Sequence, residues 1–137
     1  MHIDTSSVAC VALTSQAYAF RKKEYAGDFM ETLHGFDTIQ RAITQPGVVV
    51  ILAKTRSCAV CSVAESRLVN TVPMLEAIPV YRVYIEDDER YRGEALVFSV
   101  PTIIVYHNGR EQHRESRFIN ARNINRLIER YLENKRA

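Results

Sequence analysis

Two cysteines, Cys58 and Cys61, are the residues whose type and spacing point most directly to chemistry. A Cys-x-x-Cys pair can hold a disulfide, exchange it with another thiol, or bind a metal. The pair follows an unbroken apolar run over residues 48–53, so a strand leading into a helix would place Cys58 in the first helical turn. Free backbone N–H groups and the helix dipole favour a thiolate there. The pattern therefore predicts that Cys58 attacks a disulfide and that Cys61 resolves the product.

The residues around the pair offer limited further activation of the thiolate. Ala59 and Val60 have no side-chain group that donates a hydrogen bond, so a lowered pKa of Cys58 must come from the backbone and the dipole. Lys54 and Arg56 precede the pair and are candidates for tuning the thiolate, provided that their side chains turn towards it; the alternative is that both are solvated. We expect a moderate lowering of the pKa of Cys58.

A metal site is the rival use of the pair. Structural zinc usually has four protein ligands, and the chain contains no second Cys-x-x-Cys. His34, His107 and His113 lack the spacing of a familiar ligand pair and are expected on the surface. The acidic run at residues 86–89 is interpreted as a solvated loop, because nothing directs its carboxylates to one centre. We expect no metal and no cofactor other than the redox-active cysteine pair itself.

The composition is that of an ordinary globular domain. The 137 residues are 47% hydrophobic and 25% charged, with a net charge of +2, which suits one domain with one sizeable core. Mixed charges give no reason to propose nucleic acid or an anionic membrane as a partner. No apolar stretch approaches the roughly 18–20 residues of a membrane span. No membrane partner is therefore expected.

The third cysteine and the N-terminus bear on the cellular compartment. Three cysteines do not make the disulfide framework of a small secreted domain, and Cys10 is interpreted as a small buried apolar residue. Residues 1–7 carry Asp4 and no Lys or Arg, and the apolar stretch after them is short, so a signal peptide is not expected. These features predict a reducing, cytoplasmic setting.

Alternating apolar patterns predict an α/β domain whose central mixed β-sheet is flanked by helices on both faces. Residues 48–54 contain too many β-branched residues for a half-exposed strand and should form the central one. Asn108-Gly109 should close a tight hairpin, and Asn120 should cap the last helix. The other predicted strands are residues 29–33, 80–85, 103–106 and 111–117. The predicted helices are residues 36–44, the segment that the cysteine pair opens, 91–96 and 121–134.

The helix that follows the strand at residues 48–54 carries Val60, Ala64, Leu68 and Val72 at intervals of four, which predicts a stripe facing the core. Pro73 should end this helix well after the motif. The buried stripe of the last helix is predicted to contain Ile124, Leu127, Ile128, Tyr131 and Leu132.

In their order and separation, these features resemble the thioredoxin family: a buried strand, a Cys-x-x-Cys that opens the next helix, and Val100-Pro101 before a later strand. The resemblance covers residues 29–137 and implies the thioredoxin fold and thiol-disulfide oxidoreductase activity. It also implies a cis Pro101 that brings the backbone of Val100 beside Cys58, where an extended substrate pairs with it. The implied partners are protein disulfides and a thiol reductant. The implied substrate-binding residues are Val100, Pro101, Ala59 and Val60.

The chain departs from typical thioredoxins at several positions. It has no tryptophan, and Ala-Val replaces the usual Gly-Pro between the cysteines. Leu52 stands where the family usually carries a buried aspartate that assists proton transfer to the resolving cysteine, and Arg82 corresponds to the lysine partner of that aspartate. Arg117-Phe118 replaces a glycine that keeps the substrate groove open. A specialised rather than housekeeping oxidoreductase is therefore expected.

A second hypothesis is a protein-binding adaptor that keeps the fold and retains the cysteine pair as a structural or sensing disulfide with little catalytic activity. The missing aspartate and tryptophan favour it.

Residues 1–28 lie outside the resemblance and form an N-terminal extension. It is either an added strand at residues 8–13 with a helix at residues 16–26, or a tail packed on the domain. The sequence favours no particular substrate, electron donor, direction of transfer or oligomeric state.

Overall fold

The computed structural model describes residues 30–136, which contain five strands and four α-helices. The strands are β1 (Glu31–Thr32), β2 (Val48–Lys54), β3 (Val80–Tyr84), β4 (Thr102–His107) and β5 (Arg110–Ser116). The helices are α1 (Phe36–Ile43), α2 (Ala59–Thr71), α3 (Glu89–Glu94) and α4 (Ala121–Arg136), with a 3-10 helix at Pro73–Ala77. The strands form one sheet in the order β1-β3-β2-β4-β5. The extension at residues 1–28 and Cys10 lie outside the described residues.

Strand β2 is the centre of the sheet, as its sequence predicts. It runs parallel to β3 and antiparallel to β4, and all seven of its residues are buried. Consecutive β-branched residues suit this position because both faces of the strand are covered. The strand predicted at residues 29–33 is shorter than expected. Of the described residues 30–33, two form β1, after which the Leu33 N–H donates to the Arg82 carbonyl oxygen (2.9 Å).

The side chains of β2 divide between two cores because successive strand residues point to opposite faces. Val50 and Leu52 belong to a buried cluster that includes side chains of α2 and α4. Val49 and Ile51 belong to a second cluster, which includes side chains of α1 and α3. The prediction of a mixed sheet flanked by helices on both faces is confirmed. The cysteine pair lies at the end of β2 where α2 begins.

Helix α2 corrects the predicted core stripe. Ala64, Leu68 and Val72 are buried, but Val60 is 59% exposed, and Cys61 is fully buried in its place. The reason is helical geometry. Each step of four residues overshoots a full turn by about 40°, so two steps carry Val60 away from the face on which Leu68 is centred.

Helix α4 begins and packs as predicted. The Asn120 side-chain oxygen accepts hydrogen bonds from the second and third N–H groups of the helix (3.1 and 3.3 Å), which is an N-cap. Ile124 and Ile128 are fully buried, and the other members of the predicted stripe are partly buried against the same core. Among residues 30–136, no helix is both long enough and apolar enough to cross a membrane.

The local turns also follow the sequence. Helix α2 stops two residues before Pro73, which opens the 3-10 helix. Asn108 and Gly109 have φ angles of 51° and 82° and join β4 to β5, so the predicted tight hairpin is confirmed.

The acidic run at residues 86–89 is not wholly solvated, which corrects the prediction. Glu86 and Asp87 are exposed, but Asp88 is buried. Its Oδ1 accepts a hydrogen bond from the Gly35 N–H (2.7 Å), just before α1. Because Gly35 lies 53 positions away, no local pattern reveals this contact.

Candidate active site

Cys58 and Cys61 form a disulfide at the start of α2. Their Cα atoms are 5.2 Å apart. Cys58 has an extended backbone (φ −97°, ψ 99°) and caps the helix, which begins at Ala59. Its Sγ accepts a hydrogen bond from the Cys61 N–H (3.1 Å). One of the N–H groups that a helix leaves free in its first turn is therefore directed at the Cys58 sulfur.

The two cysteines differ in their access to solvent. Cys61 is fully buried, whereas Cys58 is half-buried and the intervening Ala59 and Val60 are exposed. An approaching disulfide can therefore reach Cys58 more easily than Cys61. In the reduced pair, the Cys61 N–H would face a Cys58 thiolate, and a hydrogen bond to the charged form favours that form. The geometry supports unequal roles for the two cysteines.

Pro101 lies at the same end of the sheet as the cysteine pair. The Val100–Pro101 peptide bond is cis, as the resemblance implies. Thr102, which follows it, pairs with Ala53 near the end of β2, so Pro101 stands close to the segment that leads into the pair. The Pro101 carbonyl oxygen accepts a hydrogen bond from the Arg117 N–H (2.7 Å). Three chain segments therefore converge at this edge of the sheet.

An ion-pair cluster lies between α2 and the sheet, and no prediction from the sequence included it. One carboxylate oxygen of Glu65 accepts a hydrogen bond from Lys54 Nζ (2.7 Å), and the other accepts one from Arg82 Nε (2.6 Å). The side chains of Lys54, Glu65 and Arg82 are 10%, 12% and 15% exposed. We call these three residues the inner ion cluster. The sequence signal for it was the position of Glu65, one helical turn after Cys61 and so on a neighbouring part of the helix surface.

Arg56 binds the acidic loop that follows β3. Its guanidinium donates to both carboxylate oxygens of Asp87 (3.0 and 2.6 Å) and lies 4.3 Å from the centre of the Tyr84 ring. The hydrogen bond lowers the pKa of Asp87 and raises the pKa of Arg56. Lys54 also has a carboxylate partner, so the two tuning candidates are each paired with an acidic neighbour. Their effect on the Cys58 thiolate stays a prediction.

Solved structures share this arrangement of strands and helices. Mitochondrial thioredoxin 3 from Saccharomyces cerevisiae, in its oxidized form, matches with a TM-score of 0.64 and 15% identity, over 76% of this chain and 97% of that chain. A thioredoxin from Trypanosoma brucei brucei matches with a TM-score of 0.66 and 11% identity, over 76% of this chain and 91% of that chain. A thioredoxin from Fasciola hepatica matches with a TM-score of 0.62 and 19% identity, over 74% of this chain and 99% of that chain. The chain has the thioredoxin fold. No family model and no curated protein matches the sequence.

Within the thioredoxin fold, the residues that depart from the family pattern occupy two different environments. Leu52 is fully buried in the core beneath α2, next to Arg82 in the sheet register. Arg117 adopts a left-handed backbone (φ 67°), the conformation that glycine adopts most readily. Phe118 is 89% exposed. The first departure therefore places an apolar side chain in the core beneath α2, and the second places large side chains at the surface near Pro101.

The three candidate histidine ligands, His34, His107 and His113, form no hydrogen bond or ring contact with Cys58 or Cys61 in the described part of the chain. His107 stacks on Tyr131, with ring centres 4.6 Å apart, and His113 Nε2 lies 2.6 Å from a carboxylate oxygen of Glu115. His34 is exposed. Over residues 30–136, no three His, Cys, Asp or Glu side chains come together as a group suited to a metal ion.

Proposed function

We propose that the protein is a thiol-disulfide oxidoreductase that acts on protein disulfides. The observation that carries the proposal is the position of Cys58, half-buried at the start of α2 with the Cys61 N–H directed at its sulfur. Helix N-termini lower the pKa of cysteine thiols, and the thiolate is the nucleophile in exchange. Cys61 is buried one turn away, close enough to form the internal disulfide.

The exchange proceeds in two displacements. The Cys58 thiolate attacks one sulfur of a substrate disulfide, an S–S bond forms between them, and the other substrate sulfur leaves as a thiolate. Cys61, after loss of its proton, then attacks the Cys58 sulfur and releases the second substrate thiolate. The substrate gains two electrons, and the protein is left with the Cys58–Cys61 disulfide. A thiol reductant restores the reduced pair.

The substrate contacts proposed for this reaction are Val100, Pro101, Ala59 and Val60. An extended substrate segment would form main-chain hydrogen bonds with Val100, as extended peptides do when they bind to exposed backbone in other proteins. Ala59 and Val60 are exposed beside the half-buried cysteine, which supports their role. Phe98, two residues before Val100 in the sequence, is also 76% exposed.

The core beneath α2 supports a specialised role over a general reductase. Leu52 supplies no acid or base, and both carboxylate oxygens of Glu65 are bound to cations. The proton of Cys61 must therefore leave through water or a substrate group. We infer slower resolution than an enzyme with a free carboxylate at this position would have.

We also propose a cytoplasmic location, where a thiol reductant is available. The three cysteines of the chain support this because an odd number suits a reducing compartment better than a secreted disulfide framework. Nucleic acid and membranes are not proposed as partners, since the net charge of +2 comes from mixed signs.

A protein-binding adaptor is the second candidate. Two observations together favour it: Leu52 is fully buried, and the apolar side chains of Phe98 and Phe118 are exposed. Such a surface suits a bound protein partner, while the missing carboxylate weakens the case for rapid catalysis. In this role the Cys58–Cys61 disulfide would be structural or would sense redox conditions.

Matched cysteine variants test the proposal. With a protein disulfide as substrate and a dithiol as reductant, Cys58→Ser should lose disulfide reduction completely, because the nucleophile is gone. Reduced Cys61→Ser, freed of dithiol and mixed with the same substrate, should keep the first displacement and accumulate a mixed disulfide, visible by mass spectrometry. Equal mixed-disulfide yields from the two variants would contradict the assignment of roles. Failure of the unaltered protein to exchange with any disulfide would favour the adaptor.

A further inference from the structure

A cleft of about 750 Å³ lies beside the cysteine pair, between α2 and the segment that leads into α4. Val60, from within the Cys-x-x-Cys motif, forms part of its wall, so the cleft shares this residue with the proposed site of exchange. Val63 and Phe118 add exposed apolar surface: Val63 is 51% exposed and Phe118 is 89% exposed. Exposed apolar side chains grouped in this way mark an interaction surface.

Three arginines line the same cleft: Arg67, Arg117 and Arg122. We call them the outer arginine set. All three are exposed, and none forms an ion pair or side-chain hydrogen bond with another residue in the part of the chain that the structure describes. No Asp or Glu of residues 30–136 lines the cleft. The cleft therefore combines apolar walls with three positive charges that no described carboxylate neutralises.

We propose that this cleft binds an acidic, partly apolar segment that flanks the disulfide of a protein substrate. Guanidinium groups bind carboxylates through paired hydrogen bonds, and an apolar side chain of the same segment would cover Val60 and Phe118. The three arginines give the cleft a preference for acidic segments over neutral or basic ones, which an apolar surface alone would lack. Positive potential around a site also raises the rate of encounter with acidic partners.

The inference rests on the proposed function and names its substrate class. It differs from a general peptide groove because the selecting groups are charged and lie outside the cysteine pair. The inference also gives a role to Arg117-Phe118, which stand where thioredoxins usually have a glycine. These residues bring one cation and one aromatic ring to the cleft. Substrates with basic flanks should be repelled by the same residues.

The test compares three synthetic peptides that share one disulfide and one leucine next to it. Their flanking residues are two glutamates, two glutamines or two lysines. With the reduced full-length protein, the acidic peptide should react about ten-fold faster than the neutral one, and the basic peptide should be slowest. The advantage should shrink as salt rises from about 50 mM to about 500 mM, because exposed charges are screened. Equal rates for the three peptides would overturn the inference.

Charge reversal locates the preference. The double variant Arg67→Glu/Arg122→Glu should reverse the order of the acidic and basic peptides. The control is Arg41→Glu on α1, which reverses an exposed arginine on the other side of the sheet and should leave the order unchanged. The milder Arg67→Gln/Arg122→Gln variant should remove the acidic preference, and circular dichroism checks that each variant is folded. An unchanged order in both cleft variants would contradict the proposal.

Two further measurements separate this inference from the proposed function. A small neutral disulfide, 2,2′-dithiodipyridine, reports exchange at the cysteine pair without using the cleft, once the reaction of Cys10 in the Cys58→Ser variant is subtracted. If it reacts while the three peptides do not differ, the cleft inference fails and the proposed function stands. Cysteine-free versions of the peptides report binding without exchange, so preferential binding of the acidic one would support the cleft even if exchange were absent. If the unaltered protein is a dimer and the cleft variants are monomers, the cleft binds a second copy of this chain, and the proposal is overturned.

Discussion

The charged residues on the two sides of helix α2 differ in whether they have partners. Beneath the helix, Glu65 holds Lys54 and Arg82, and all three side chains of this inner ion cluster are largely buried. On the outer side, Arg67 and its two neighbours in the cleft have no ionic partner in the described region of the chain. Buried charges must be paired to be tolerated, whereas exposed charges remain available to another molecule. The inner cluster therefore concerns the stability of the fold, and the outer set concerns recognition.

The largest expected effect on the free energy of unfolding comes from removing the carboxylate of Glu65. Glu65→Gln removes the carboxylate that binds both Lys54 Nζ and Arg82 Nε in a largely buried position. The free energy of unfolding of the oxidised protein should fall by about 3 kcal/mol, at the lower end of the range for breaking a buried pair because each side chain keeps some exposure. Urea denaturation measures this change.

The matched control for that experiment is Glu94→Gln. Glu94 pairs with Arg90 at the i,i+4 spacing, but both side chains are more than half exposed. This substitution should change the free energy of unfolding by about 0.5 kcal/mol or less. Similar losses in the two variants would show that burial does not distinguish the inner ion cluster from a surface pair.

Neutralising the outer arginines should have a much smaller effect on stability. Arg67→Gln and Arg122→Gln break no ionic contact within the described residues, so each should change the free energy of unfolding by no more than about 0.5 kcal/mol. The same urea measurement applies. A loss of several kcal/mol would mean that these arginines support the fold, and the contrast with the inner cluster would disappear.

The smallest effect concerns the exposed pair of Arg56 and Asp87. The hydrogen bond from Arg56 lowers the pKa of Asp87 below its ordinary value of 3.8. Its contribution to stability is therefore present above pH 3.8 and is lost as the pH falls through the lowered pKa of the folded state. NMR titration should give a pKa below 3.8 for Asp87 and a value closer to 3.8 in the Arg56→Gln variant. An unchanged pKa in that variant would remove Arg56 as the cause.

Much of the fold follows from local sequence patterns. The run at residues 48–54 predicts a strand covered on both faces, Asn108-Gly109 predicts the hairpin, and Asn120 predicts the helix cap. Each of these depends on the intrinsic conformational or burial preferences of neighbouring residues. The error at Val60 is also local, because intervals of four drift around a helix with about 3.6 residues per turn.

The contacts that the sequence did not predict join distant positions. Asp88 is buried because the Gly35 N–H reaches it, and Glu65 is bound because β2 and β3 bring Lys54 and Arg82 beneath α2. The outer arginine set likewise becomes visible only when α2 and the start of α4 are placed side by side. The sequence reveals these residue types but not which of them acquire a partner.

The reduction potential of the Cys58–Cys61 pair tests the central proposal most directly. The full-length protein would be equilibrated with dithiol buffers of graded potential, and the reduced fraction measured after thiol labelling, with Cys58→Ser as the control. A redox-active pair should titrate near the thioredoxin value of about −270 mV and reach equilibrium readily. A potential well below about −300 mV, with little exchange, would identify a structural disulfide and contradict the proposed oxidoreductase function.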